Sequence, residues 1–164
     1  MPSRRAFLAG LAAATVPAPV WADLGHPVVL SAARAPDGEY QLIGLRADGL
    51  LAFNVQLPAR GHAAAAHPTL AEAVAIARLP GTFAKVIDCS TVAIKSTLRA
   101  PKGRHFYGHG AFSSDGTLLF TPENDSKSGE GRVGVWSRLE DYVRVDEFGS
   151  GGIGPHEIIR LPSG

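Results

Sequence analysis

The sequence of 164 residues has one cysteine and almost no excess of charge of either sign. The lone Cys89 excludes an intramolecular disulfide and a zinc site built from several cysteines. Lys and Arg number 16 against 15 Asp and Glu, which gives a formal net charge of +1. This balance gives no support for nucleic acid or an anionic membrane as the main partner.

Glycine and proline, in contrast, are plentiful, with 19 and 12 residues. These residues favour many turns over long helices. The apolar fraction of 45% is ordinary for a globular protein, and the length suggests one domain or part of one.

The first residues have the features of an export signal rather than of a fold. Residues 3–23 (SRRAFLAGLAAATVPAPVWAD) join an arginine pair to an apolar run over 7–16 that is too short to span a bilayer. The order Ser-Arg-Arg-x-Phe-Leu resembles the twin-arginine export motif. We therefore predict a signal peptide over 1–22, a domain over 23–164 and a periplasmic location, the alternative being an amphipathic first helix.

Three histidines recur at a constant interval. His62, His109 and His156 are separated by 47 residues each, and each one begins a short stretch of small or apolar residues. A turn of the Ser-Asp-Gly or Pro-Ser-Gly kind follows the second and the third. A fixed period of this length is typical of repeat architectures such as propellers.

The unit that begins at His109 divides into short strands separated by turns. Residues 113–116 (SSDG) form a tight turn in which glycine supplies a positive φ, and a polar loop is expected over 124–131. The predicted strands of this unit are 109–113, 117–121, 132–137 and 142–148. Four strands in about 45 residues are the size of one propeller blade.

The preceding unit is more ambiguous. Residues 69–79 (TLAEAVAIARL) fit a helix with a capping box, but they occupy the position of the strand at 117–123 one period later, which favours a strand. Further strands are expected in these segments: 28–34, 39–45, 50–55, 82–88 and 93–98.

The predicted fold is therefore all-β. It is a β-propeller of four-stranded antiparallel blades, incomplete, with about three blades and the start of a fourth. Because a propeller needs typically 4–8 blades to close its ring, we expect part of a longer protein, in which the unclosed sheets could self-associate.

Several longer runs carry a family resemblance: 78–88 (RLPGTFAKVID), 100–125, 131–136 (GRVGVW) and 151–164. Together with the leader they resemble an uncharacterised bacterial family of twin-arginine-exported periplasmic proteins, related to quinoprotein-like or YVTN-like seven-bladed propellers. The resemblance covers nearly all of this chain but only the N-terminal half of the family. It implies a periplasmic propeller without an established activity, and an iron-related role because members lie near iron-uptake and imelysin-like genes. The chain departs from the family by ending early and by having CSTVAIKS (89–96) in place of a glycine-containing turn.

The candidate metal ligands are His105, His109, His156 and Glu157. Glycines around the first two argue against a helix, and on a continuous strand positions 105 and 109 would lie about 13 Å apart, too far for one ion. In a propeller, the periodic histidines His62, His109 and His156 would lie on a circle around the axis. There, neutral imidazoles could bind a transition metal or haem iron, and protonated imidazoles an anion. The alternative is a structural role, in which each ring fixes its blade by hydrogen bonds.

No catalytic residues are predicted. The loop 121–131 lacks the EF-hand pattern, the glycines of 149–155 lack the lysine of a phosphate loop, and no nucleophile elbow occurs. The first hypothesis is a module that binds a small ligand, a metal (iron or haem among them) or a periplasmic protein. It has no nucleic-acid partner and no membrane contact once the signal is removed. The alternatives are a quinoprotein-like oxidoreductase and a truncated, non-functional fragment.

Overall fold

Three antiparallel sheets follow one another along the chain in a computed structural model that describes residues 17–79 and 82–163. The first sheet contains β1 (Val29–Arg34), β2 (Tyr40–Leu45) and β3 (Leu51–Leu57), in that spatial order. Asp-Gly turns at 37–38 and 48–49 connect them. At the first turn, the Asp37 carboxylate accepts the N–H of Glu39 at 3.0 Å while Gly38 adopts a φ of +94°.

The second sheet has four strands in sequence order: β4 (Gly61–Ala66), β5 (Glu72–Ala77), β6 (Phe83–Asp88) and β7 (Ala93–Arg99). All six residues of β5 are buried. This explains the composition that made residues 69–79 ambiguous: a strand covered on both faces needs small and apolar side chains rather than alternation. The choice of a strand for this segment is confirmed.

The third sheet has an interrupted innermost strand. Both β8 (Arg104–Phe106) and β9 (Ala111–Phe112) pair with β10 (Leu118–Asp125), which is followed by β11 (Glu130–Ser137) and β12 (Val143–Ile153). The sequence predicts one strand over 109–113. The structure instead ends β8 before Tyr107, where the backbone turns through Gly108 at a φ of +101°. β10 also continues to Asp125, beyond the predicted strand end, because β8 provides it with pairing partners.

Two apolar clusters join neighbouring sheets. The first sheet and the second share a cluster that contains Leu42, Val55 and Ile87. The second and the third share another, with Ile76, Phe106 and Trp136 among its members. The free Cys89 is 1% exposed, and burial raises its pKa to about 12, as expected of a small core residue rather than a nucleophile.

A buried glutamate adds polar contacts between the second and third sheets. Glu72 of β5 accepts hydrogen bonds from Lys95 of β7 at 2.5 Å, from Arg138 at 2.9 Å and from the hydroxyl of Tyr142. The last two lie around a 3₁₀ turn (Arg138–Glu140) between β11 and β12. Together with the apolar cluster, this network fixes the two sheets against each other.

The all-β fold with successive antiparallel blades is confirmed, as an incomplete propeller whose blades have three, four and five strands. Within residues 17–79 and 82–163, no helix has the length and apolar character needed to cross a membrane.

Residues 1–16 of the predicted signal peptide lie outside the described residues. Its last residues are described and contact the fold. A second 3₁₀ turn spans Trp21–Leu24, and the indole of Trp21 donates to the carbonyl of His67 at 2.7 Å.

Candidate metal centre

The three histidines of the 47-residue series meet at one point. His62 lies in β4, His109 in the gap between β8 and β9, and His156 just beyond β12. Their ring centroids are 5.1 Å (62 to 109), 5.6 Å (62 to 156) and 4.8 Å (109 to 156) apart. One ring nitrogen from each lies within 4.8 Å of the other two. Residues far apart in sequence thus form one cluster, which we call the His62–His109–His156 cluster.

A local irregularity positions each of the first two rings. In β4 the pairing with β5 shifts between Gly61 and Ala63, so His62 is the extra residue of a β-bulge. Bulges re-aim side chains, and they are common next to functional sites. His109 follows Gly108, where the inner strand of the third sheet is broken.

Position 108 needs glycine for two reasons, the closeness of the His62 ring and the conformation of the backbone. A Cβ atom at this position would lie 2.3 Å from the ring of His62. The φ of +101° is also one that other residues rarely adopt. The Gly-His pair of the sequence repeat therefore has a physical meaning here, since the glycine leaves the space that the histidine of the neighbouring blade occupies.

The electrostatics of the cluster favour neutral imidazoles. Burial lowers the pKa of His62, and the nearby His109, Arg78, His156 and Arg60 lower it further. The pKa of His109 is lowered by burial and by His156, against an opposing effect of Glu157. A neutral imidazole has a free lone pair, which is the form that coordinates metals.

The predicted ligand set is brought together only in part. His109 and His156 are in the cluster, where His62 joins them. Glu157 is exposed and acts on His109 through its charge. His105 is 4% exposed in β8, with its Nδ1 3.4 Å from the hydroxyl of Ser126 and its ring 5.7 Å from that of Tyr107.

The omission of His62 from the predicted ligands is instructive. The 47-residue period includes His62, and this period is the sequence signal that could have identified it as a ligand. His105 falls outside the repeat, and in β8 its ring contacts Ser126 and Tyr107 instead of joining the cluster.

Arg78 and Tyr107 surround His156. The guanidinium of Arg78 lies 3.4 Å from Nε2 of His156 and 5.1 Å from the centre of the Tyr107 ring. Tyr107 meets the ring of His156 edge-on at 5.8 Å. These contacts restrict the orientation of His156, which lies beyond the last strand of its sheet.

A cleft of about 790 Å³ opens beside the cluster. Its wall includes His62, His105 and Tyr107, together with three basic residues, Arg60, Arg78 and Lys127. The volume lies in the range of small-molecule sites.

Comparison with known proteins identifies a family and a fold. The model of a family described as "Protein of unknown function (DUF1513)" matches residues 55–164, which is most of the chain. No curated protein matches. Among solved structures, a chain of Kuenenia stuttgartiensis hydrazine synthase superposes with a TM-score of 0.64 at 15% identity, over 93% of this chain and 43% of that one. At this identity the likeness concerns the fold alone, and this chain spans less than half the length of the matched one.

Proposed function

We propose that this chain, which belongs to the DUF1513 family of proteins of unknown function, is a periplasmic metal-binding module of the propeller class. The His62–His109–His156 cluster binds one transition-metal ion. The observation that carries the proposal is the convergence of three imidazole nitrogens from three separate segments within 4.8 Å.

The geometry is close to that of a three-histidine site. At metal–nitrogen distances of about 2.1 Å and tetrahedral angles, ligand nitrogens lie about 3.4 Å apart. The observed separation of up to 4.8 Å therefore has to close by about 1.4 Å, which rotation of partly exposed rings can supply. None of the three rings is locked inside the core.

The donor set defines the class of metal. Three imidazoles suit zinc, copper, nickel and iron(II), and they leave at least one coordination position for water or a further ligand. The resemblance to a family found near iron-uptake genes makes iron the first metal to test, either as the ion or as haem.

The periplasmic location rests on the leader. The Ser-Arg-Arg-x-Phe-Leu order and the short apolar run support export through the twin-arginine route, which is associated with proteins that fold before export. A metal acquired before export is consistent with that route.

A purely structural role for the cluster gives a different expectation. Edge-to-face packing of imidazoles, at interplanar angles of 63° to 75°, would stabilise the blades without any ion. In that case the histidines could be replaced by other aromatic residues of similar size, and no metal would bind with defined stoichiometry.

The experiment is a titration of the purified, chelator-treated full chain with Fe²⁺, Zn²⁺ and Co²⁺, followed by calorimetry. We expect one ion per chain. His62→Ala, His109→Ala and His156→Ala should each weaken binding by at least about 10- to 100-fold, the loss found even for residues that only support metal ligands.

The matched control is His26→Ala, since His26 is exposed and lies outside the cluster. It should leave the affinity unchanged. An absorption band of haem in protein exported by its own pathway would identify haem as the bound form. Equal affinity of His26→Ala and His109→Ala, or no stoichiometric binding of any of the three ions, would reject the proposal.

A further inference from the structure

The cleft beside the metal cluster has an excess of positive charge. Arg60 precedes β4, Arg78 follows β5, and Lys127 lies in the turn between β10 and β11. All three side chains are exposed. Segments from two blades thus present cations to the same space.

These cations are not neutralised by neighbouring carboxylates. In the described parts of the chain, none of the salt bridges involves Arg60, Arg78 or Lys127. Other arginines of the same blades do have partners: Arg144 binds Glu123 at 2.5 Å, and Arg138 binds Glu72 at 2.9 Å. An excess of basic groups without salt-bridge partners on one wall of a cleft favours an anionic ligand.

Among the described residues of the cleft wall, one acid, Asp125, accompanies these cations. Asp125 accepts the backbone N–H groups of Lys127 and Ser128 at 2.9 and 2.8 Å, and the hydroxyl of Ser128 at 3.1 Å. These bonds, with that from the backbone of Ser128 the largest effect, lower the pKa of Asp125. The ionised carboxylate closes the turn that carries Lys127, and the wall retains three cations (Arg60, Arg78 and Lys127) against this one anion, an excess of two positive charges.

From this arrangement we infer that the cleft binds a small polyanion that presents carboxylate or phosphate oxygens to Arg60, Arg78 and Lys127. The site lies next to the metal cluster and shares only His62 with it. Arginine is suited to such ligands because its guanidinium can donate two parallel hydrogen bonds to one carboxylate or phosphate.

Arg78 connects the two sites. Its guanidinium lies over the ring of Tyr107 at 5.1 Å and within 3.4 Å of His156. The stacked side chain is held in place, which reduces the entropy lost when a ligand binds. The volume of about 790 Å³ accommodates a ligand of metabolite size.

The test is calorimetry on the full chain after a chelator has removed metal and has itself been dialysed away, since the chelator is a polyanion. The probes are citrate for carboxylates, pyrophosphate for phosphates, and acetate as a single carboxylate. We expect citrate, pyrophosphate or both to bind one per chain and more tightly than acetate. Raising the salt concentration from about 0.1 to about 1 M, which shortens the Debye length from about 10 to about 3 Å, should weaken binding.

Arg60→Gln, Arg78→Gln and Lys127→Gln should each weaken that affinity by about tenfold or more, as expected for loss of a hydrogen bond to a charged group. The matched control is Lys102→Gln, because Lys102 is exposed and lies outside the cleft. It should bind the probe like the unaltered chain. Circular dichroism of each variant confirms that the fold is retained.

No binding of citrate or pyrophosphate at about millimolar concentration, which corresponds to about −4 kcal/mol, would overturn the inference. An equal loss in Lys102→Gln and Arg60→Gln would also overturn it. Because the assay uses metal-free protein, failure of the metal proposal leaves this result unaffected, and the reverse also holds.

Discussion

Replacement of Glu72 by glutamine tests how the second and third blades are held together. Glu72 is 4% exposed, and its carboxylate binds Lys95, Arg138 and Tyr142. Burial alone would raise the pKa of Glu72, but the hydrogen bonds from Lys95, Tyr142 and Arg138 outweigh it and lower the pKa. The carboxylate is therefore ionised in the fold, and Glu72→Gln removes a charge from a buried network without changing its size.

The expected loss follows from the exposure of the partners. Removing one member of a buried ion pair costs about 3–5 kcal/mol when the remaining charge stays buried. Here the side chains of Arg138 and Lys95 are 22% and 45% exposed, so water recovers part of that cost. We expect Glu72→Gln to lower the free energy of unfolding by about 2–3 kcal/mol, because the hydroxyl of Tyr142 stays buried with a weaker acceptor.

Urea unfolding followed by circular dichroism measures this loss as a lower midpoint at constant slope. The matched control is Glu39→Gln, because Glu39 is exposed and its partner is the side chain of Gln56. It should cost less than about 0.5 kcal/mol. Equal midpoints for the two variants, or a more stable Glu72→Gln, would refute the view that this network joins the blades.

Two further perturbations address the site and the pH dependence. Gly108→Ala places a Cβ 2.3 Å from the His62 ring at a φ of +101°. The variant should therefore lower the free energy of unfolding in urea by about 1–3 kcal/mol and weaken metal binding. Unchanged metal affinity would show that the His62 ring is not displaced. The pKa values of His62, His67, His105 and His109 are all lowered, first by burial. On acidification, these histidines are therefore protonated in the unfolded chain at a higher pH than in the folded chain. The free energy of unfolding should fall as the pH drops below the ordinary histidine pKa of 6.5. Protonation of His67 at Nδ1 would also break two hydrogen bonds, since this atom accepts the N–H groups of Thr69 and Leu70 at 3.2 and 3.0 Å. Thermal melts between about pH 8 and pH 5 measure this, and a midpoint that stays constant or rises on acidification would contradict it.

Much of the architecture could be predicted from local signals. Asp-Gly turns separate the strands of the first blade because Asp37 and Gly38 satisfy the turn by themselves. The 47-residue period then decided between helix and strand for residues 69–79, where composition alone could not. The strand ends were less predictable: Asp125 belongs to β10 only because β8, which lies about 20 residues earlier, reaches it.

The site was predictable in its histidines but not in its geometry. The period pointed to His62, yet the bulge that aims its ring depends on the register between β4 and β5, a property of two strands rather than of one. No sequence pattern predicts the cleft, because its basic residues Arg60, Arg78 and Lys127 come from loops and are not separated by a constant interval. Side chains that meet only through the packing of blades leave no periodic signal.

Anomalous scattering from crystals can show directly whether the three histidines hold one metal ion. Crystals of the full chain soaked with the ion that binds in solution, measured at the absorption edge of that metal, would locate it by anomalous scattering. We expect one peak at about 2.0–2.2 Å from a single nitrogen of each of His62, His109 and His156. A peak held instead by His105 or Glu157, or a cluster that stays empty while the soaked metal binds elsewhere, would contradict it.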